Sequence, residues 1–137
     1  MPRAHDAPRT KLVVLIDDDP AVLDAMGGLL RSWGYTVVTA DSDDAAMAGL
    51  AEHGQRPDLI ISDYRLAQGR TGIQVIERLR GAFEIPALLI TGEAAPARPQ
   101  EGRSGRYHLL HKPVDPTALQ AVLTEVFSRE DAPGKNG

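Results

Sequence analysis

The run Leu12-Val13-Val14-Leu15-Ile16 breaks off on three consecutive aspartates and a proline, Asp17-Asp18-Asp19-Pro20. The same grammar returns downstream. Leu59-Ile60-Ile61 leads through Ser62 to Asp63, Ala87-Leu88-Leu89-Ile90 ends at Thr91, and Tyr107-His108-Leu109-Leu110-His111 ends at Lys112. Short apolar runs separated by helix-length segments make a parallel sheet, whose ligands gather outside the carboxyl ends of the strands at the switch in strand order. The pattern predicts an α/β chain with its polar run-ends on one rim.

Like charges about 4 Å apart repel by roughly 4 kcal/mol at an effective dielectric near 20, so clustered aspartates are a poor device for stability and ask for a cation. Carboxylates after the first and third strands, Asp17, Asp18 and Asp63, can hold a hard divalent ion such as Mg2+ through oxygen. Thr91 adds a hydroxyl donor and Lys112 a positive charge, the equipment for holding a phosphoryl group. The rim reads as a site of Mg2+-assisted phosphoryl transfer to or from a carboxylate. Asp19 stands apart, because before Pro20 at a helix start it reads as a cap rather than a metal ligand. His111 reads as a structural strand residue rather than a phosphate carrier, and Thr91 beside Gly92 takes its meaning from its companions.

At these positions the chain resembles the receiver domain of two-component response regulators. The matching pieces are Asp17-Asp18, Asp63, Thr91 and Lys112-Pro113, within residues 11 to 128. The resemblance implies a flavodoxin-like, doubly wound (βα)5 fold with a five-stranded parallel sheet in the order 2-1-3-4-5. It implies that Asp63 is the phosphoacceptor, and that Asp18, Asp63 and the main-chain carbonyl of Arg65 bind Mg2+ directly, with Asp17 acting through a water. Thr91 and Lys112 would hold the phosphoryl group, and the Lys112–Pro113 peptide would be cis. Arg65 and Glu93, each two residues beyond a site residue, would flank the approach of water and set the phosphoryl lifetime. Such a domain takes its phosphoryl group from a histidine kinase or a histidine phosphotransfer protein. It catalyses only its own phosphorylation and a slow dephosphorylation. The switch position three residues before the lysine is Leu109, so no tyrosine-type switch is expected. Asp63-Tyr64-Arg65-Leu66 with Gly72, and Leu88-Leu89-Ile90-Thr91-Gly92, resemble receivers at the carboxyl terminus of bacterial hybrid sensor histidine kinases, a context expected ahead of a stand-alone regulator.

At 137 residues, 42% hydrophobic and 25% charged, the chain has room for one domain. Without cysteine it has neither disulfides nor a thiolate zinc site, which suits a reducing cytoplasm. No apolar run approaches the roughly 18 residues that span a bilayer, so no membrane contact is expected. A net charge of −4 gives nucleic acid no reason to bind. Residues 1–10 read as a flexible lead-in, 11–128 as the domain and 129–137 as a disordered tail. Ser42 and Asp115-Pro116 open helices, Tyr35–Thr39 and Ile85–Ile90 read as strands, and Val22, Met26, Leu29, Leu30 and Trp33 mark the buried face of the first helix. Where a fourth helix belongs, the segment from Gly92 to Gly105 carries Pro96, Pro99 and Gly102, so that helix is expected to be weak or disordered. With a single helix expected after Lys112, output is expected through protein contact.

Two other classes share part of this pattern. A haloacid-dehalogenase-like phosphatase also combines early aspartates, a threonine, a lysine, Mg2+ and an aspartyl phosphate. It needs a further acidic pair after a strand beyond the lysine, where Asp115 here opens a helix. A scaffolding pseudo-receiver is disfavoured because Asp17, Asp18, Asp63, Thr91 and Lys112 are all chemically competent.

Overall fold

The computed structural model describes residues 10–66, 69–92 and 107–131. Strands β1 (Leu12–Ile16), β3 (Leu59–Asp63) and β4 (Ala87–Thr91) are buried at every residue, as unbroken apolar runs should be when helices cover both faces of a sheet. With β2 (Thr36–Ala40) and β5 (Tyr107–His111) they form an all-parallel sheet in the order β2-β1-β3-β4-β5. This is the expected strand order.

Helices α2 (Asp43–His53) and α3 (Gly72–Arg80) cover one face, while α1 (Pro20–Ser32) and α4 (Pro116–Asp131) cover the other. Successive β1 residues serve opposite cores. Leu12, Val14 and Ile16 pack with Leu50, Ile76 and Leu79, whereas Val13 and Leu15 pack with Leu30, Leu119 and Phe127. Each fully buried aliphatic side chain contributes about 1.5–3 kcal/mol.

Local chemistry sets the helix starts. Asp19 Oδ1 accepts the Ala21 N–H at 3.0 Å with Pro20 at the first position, so the cap reading of Asp19 holds. Ser42 Oγ accepts the Ala45 N–H at 3.1 Å, and Thr71 and Gln74 form a reciprocal capping box ahead of α3. Gly54, at φ 77°, ends α2 in the left-handed region.

Several boundaries differ from expectation. β2 begins at Thr36 rather than Tyr35, and β4 begins at Ala87 rather than Ile85. Pro86 has no N–H to give a ladder, although its carbonyl accepts the Ile60 N–H at 3.1 Å. In α1 only Gly27 and Leu30 are buried, and Val22, Met26, Leu29 and Trp33 are half-buried. α4 continues to Asp131, past residue 128 where the domain was expected to end. Of the segment expected to form a weak fourth helix, Gly92 alone is described, and residues 93–106 lie outside the described residues. Residues 1–9 and 132–137 also lie outside them. Among the described residues no helix is long and apolar enough to cross a membrane.

Candidate functional site

Main-chain bonds carry the strand ends one residue beyond their ladders. The Asp17 N–H donates to Ala40 O at 3.1 Å, the Tyr64 N–H to Ile90 O at 2.9 Å and the Lys112 N–H to Thr91 O at 2.8 Å. Asp17 and Lys112, which follow β1 and β5, and Asp63, which ends β3, are thereby held on one rim. There the carboxylates of Asp17, Asp18 and Asp63 converge, with ligand oxygens all within 4.8 Å of one another. Asp17 and Asp63 are each 7% exposed, and Asp18 opens to solvent.

Burial pushes the Asp17 carboxyl above its ordinary value, the Asp19 N–H it accepts at 2.9 Å pulls it down, and the Asp63 charge pushes it up again. Lys112 Nζ lies 2.9 Å from Asp63 Oδ1, and this hydrogen bond holds the ammonium above its usual range against the cost of its own desolvation. One ammonium cannot balance three carboxylates. The donor set is all oxygen, crowded and net negative, which fits a hard divalent cation such as Mg2+.

The Lys112–Pro113 peptide is cis, as the family resemblance implied. Thr91 is 1% exposed at the end of β4, and its Oγ1 lies 3.0 Å from His111 Nδ1. Leu109 is half-buried and packs with Tyr107 on the core beneath α2 and α3. The Tyr107 hydroxyl bonds Glu77 of α3, and the Arg80 guanidinium lies 5.1 Å from the Tyr107 ring centroid.

The loop after Asp63 turns back on itself. Arg65 bridges to Thr71, the Leu66 N–H donates to Arg70 O at 3.0 Å, and the Gly72 N–H donates to Tyr64 O at 2.7 Å. An ion cluster fastens this loop to α2. Arg70 pairs with the buried Asp43, and Arg78 Nη1 reaches Asp43 at 3.2 Å and Asp44 at 2.5 Å. Burial alone would raise the Asp43 carboxyl, but the Arg78 hydrogen bond and the Arg70 charge hold it below the usual carboxylate range.

The fold thus brings Asp17, Asp18, Asp63 and Lys112 together, and it sets Thr91 at the end of β4 with Arg65 on the flanking loop. Glu93 lies outside the described residues. Two features escaped the sequence. One is the ion pair of Arg70 with Asp43, and the other is His111, which reads as a plain strand residue although it bonds Thr91. The position of His111 directly before Lys112, at the end of an apolar run, was the available signal.

A family model of the response regulator receiver domain matches residues 13–124. The chain belongs to this family. PhyR of Methylorubrum extorquens, a phyllosphere-induced regulator, is 29% identical over 116 residues, covering 84% of this chain and 43% of that protein. The transcriptional regulatory protein AfsQ1 of Streptomyces coelicolor is 34% identical over 118 residues, covering 85% of this chain and 51% of that protein. This receiver-family chain therefore spans about half or less of the length of these relatives. The PhyR receiver domain of Erythrobacter litoralis superposes with a TM-score of 0.73 at 25% identity, covering 90% of this chain and 95% of that one. The chemotaxis response regulator CheY4 of Vibrio cholerae superposes at 0.71 and 29% identity, covering 86% and 99%. The family match supports a phosphoacceptor role in two-component signalling, and the phosphatase alternative gives way to it.

Proposed function

We propose that Asp63 accepts a phosphoryl group from a phosphohistidine of a histidine kinase or histidine phosphotransfer protein and that the charged domain signals by protein contact. The observation that carries this reading is the Asp63 carboxylate itself, buried at a strand end with Lys112 Nζ at 2.9 Å inside the Asp17-Asp18-Asp63 cluster. A carboxylate oxygen of Asp63 attacks phosphorus, an O–P bond forms, and the N–P bond of the donor breaks with its electron pair returning to the imidazole. Lys112 pairs with the transferred group and Thr91 donates to one of its oxygens, so both act where negative charge is concentrated.

Asp18, Asp63 and the main-chain carbonyl of Arg65 would hold Mg2+, with Asp17 contributing through a water. When bound, the ion supplies positive charge to the crowded oxygens. Arg65 and Glu93, each two residues beyond a site residue in the sequence, would modulate loss of the phosphoryl group. Catalysis is confined to the domain's own phosphorylation and slow dephosphorylation. The Asp63-Tyr64-Arg65-Leu66 and Leu88-to-Gly92 phrases favour a receiver of a cytoplasmic hybrid-kinase region over a stand-alone regulator.

The test is incubation with Mg2+ and acetyl phosphate, followed by mass spectrometry to locate the modified residue. Stoichiometric modification at Asp63, lost in Asp63→Asn, is the expected result. Full labelling of Asp63→Asn removes the assignment, and no labelling of the wild type leaves the scaffolding reading in its place.

A further inference from the structure

Thr91 and His111 are partners in the β4–β5 register. By strand alternation both continue the face that carries Leu89 and Leu109. Thr91 is buried, His111 is exposed, and Oγ1 and Nδ1 lie 3.0 Å apart. A threonine hydroxyl has one hydrogen to give, and a neutral imidazole has one N–H and one accepting nitrogen. If Thr91 gives its hydrogen to Nδ1, none is left for a phosphoryl oxygen. If Nδ1 carries the hydrogen and donates to Oγ1, the hydroxyl hydrogen is free.

We infer that His111 is the positioning residue of Thr91: Nδ1 accepts the hydroxyl hydrogen in the unphosphorylated protein and yields it when a phosphoryl group arrives on Asp63. The inference rests on the proposed roles of Asp63 and Thr91. The hydroxyl hydrogen changes its acceptor from Nδ1 to a phosphoryl oxygen. The imidazole then either turns away or carries its own proton on Nδ1, which an exposed ring can exchange through solvent. Leu109, on the same strand face, has no hydrogen-bonding group with which to respond to Thr91. His111 has one, and it stands at the exposed end of β5 beside Lys112.

The experiment uses the full chain, isotopically labelled, with Mg2+ and beryllofluoride standing in for the phosphoryl group. Long-range proton–nitrogen spectra of the imidazoles should show an unprotonated, hydrogen-bonded His111 Nδ1 in the free protein and a displaced Nδ1 signal after beryllofluoride binds. An unchanged Nδ1 signal, with bound beryllofluoride seen by fluorine resonance, overturns the inference while leaving Asp63 as acceptor. Absence of bound beryllofluoride overturns both. Removing the competing acceptor in His111→Leu should tighten beryllofluoride binding by about three- to tenfold, the range expected of one net hydrogen bond. His111→Gln, whose amide oxygen can accept from Thr91, should reverse that gain. Unchanged or weaker binding by His111→Leu overturns the competition.

Discussion

Gly72 lies so close to the main chain of Asp63 that a Cβ added to it would sit 2.4 Å from the Asp63 carbonyl oxygen and 2.7 Å from Leu89 Cδ2. The first turn of α3 therefore rests directly on the strand end that presents the carboxylate. Gly72→Ala should cost roughly 1–3 kcal/mol, the usual range for overpacking a well-filled interior, because backbone must move to admit the methyl group. Urea denaturation measures this, and an unchanged midpoint would mean that α3 does not set the position of Asp63. Labelling of Asp63 by acetyl phosphate should slow in the same variant.

Asp17 is buried among carboxylates, and its raised pKa means that the folded protein holds the Asp17 proton more tightly than the unfolded chain does. For that group, stability rises as pH falls through the folded pKa and levels off below the ordinary value of 3.8. Asp17→Asn keeps an acceptor for the Asp19 N–H and removes the charge. In Mg2+-free buffer it should raise the thermal midpoint at neutral pH, and the gain should shrink as the pH approaches 3.8. A lower midpoint at neutral pH would show that the Asp17 charge is already compensated without metal.

Mg2+ binding to the native state alone adds RT ln(1 + [L]/Kd), about 2.7 kcal/mol when the ion is at a hundred times its Kd. Asp18 is the exposed member of the carboxylate cluster, so Asp18→Ala should leave the fold intact while erasing most of the Mg2+-dependent rise in thermal midpoint. An undiminished Mg2+ shift in that variant would remove Asp18 from the ligand set.

Arg65 and Glu93, each two residues beyond a site residue in the sequence, carry opposite charges and are proposed to modulate the attack of water. An exposed pair contributes only about 0–1 kcal/mol, which limits the effect on rate to several-fold. Replacing both by alanine should speed loss of the phosphoryl group within that limit, with single effects that do not add. Additive single effects, or slower hydrolysis in the double variant, would show that no gate exists.

The runs Leu12–Ile16, Leu59–Ile61 and Ala87–Ile90 announced buried parallel strands in the sequence alone, because strands covered on both faces need no polar alternation. The caps at Asp19 and Ser42 were legible for a similarly local reason, since a side chain and a main-chain N–H two or three residues away satisfy each other within one turn. Local rules placed strand ends less well. The ladder of β4 starts at Ala87 in register with Ile60, a pairing that no property of Ile85 reveals.

What only the tertiary structure decided are contacts between residues brought together by register and helix packing. His111 meets Thr91 because β5 pairs with β4, Arg70 meets Asp43 because the loop before α3 folds towards α2, and Gly72 meets Asp63 because α3 begins directly against β3. The sequence by itself determined which residues stand at the strand ends and what they can bond. Hydrophobic patterning acts along the chain, whereas the choice of partner for each polar group depends on which neighbouring segment the packed sheet and helices bring within about 3 Å.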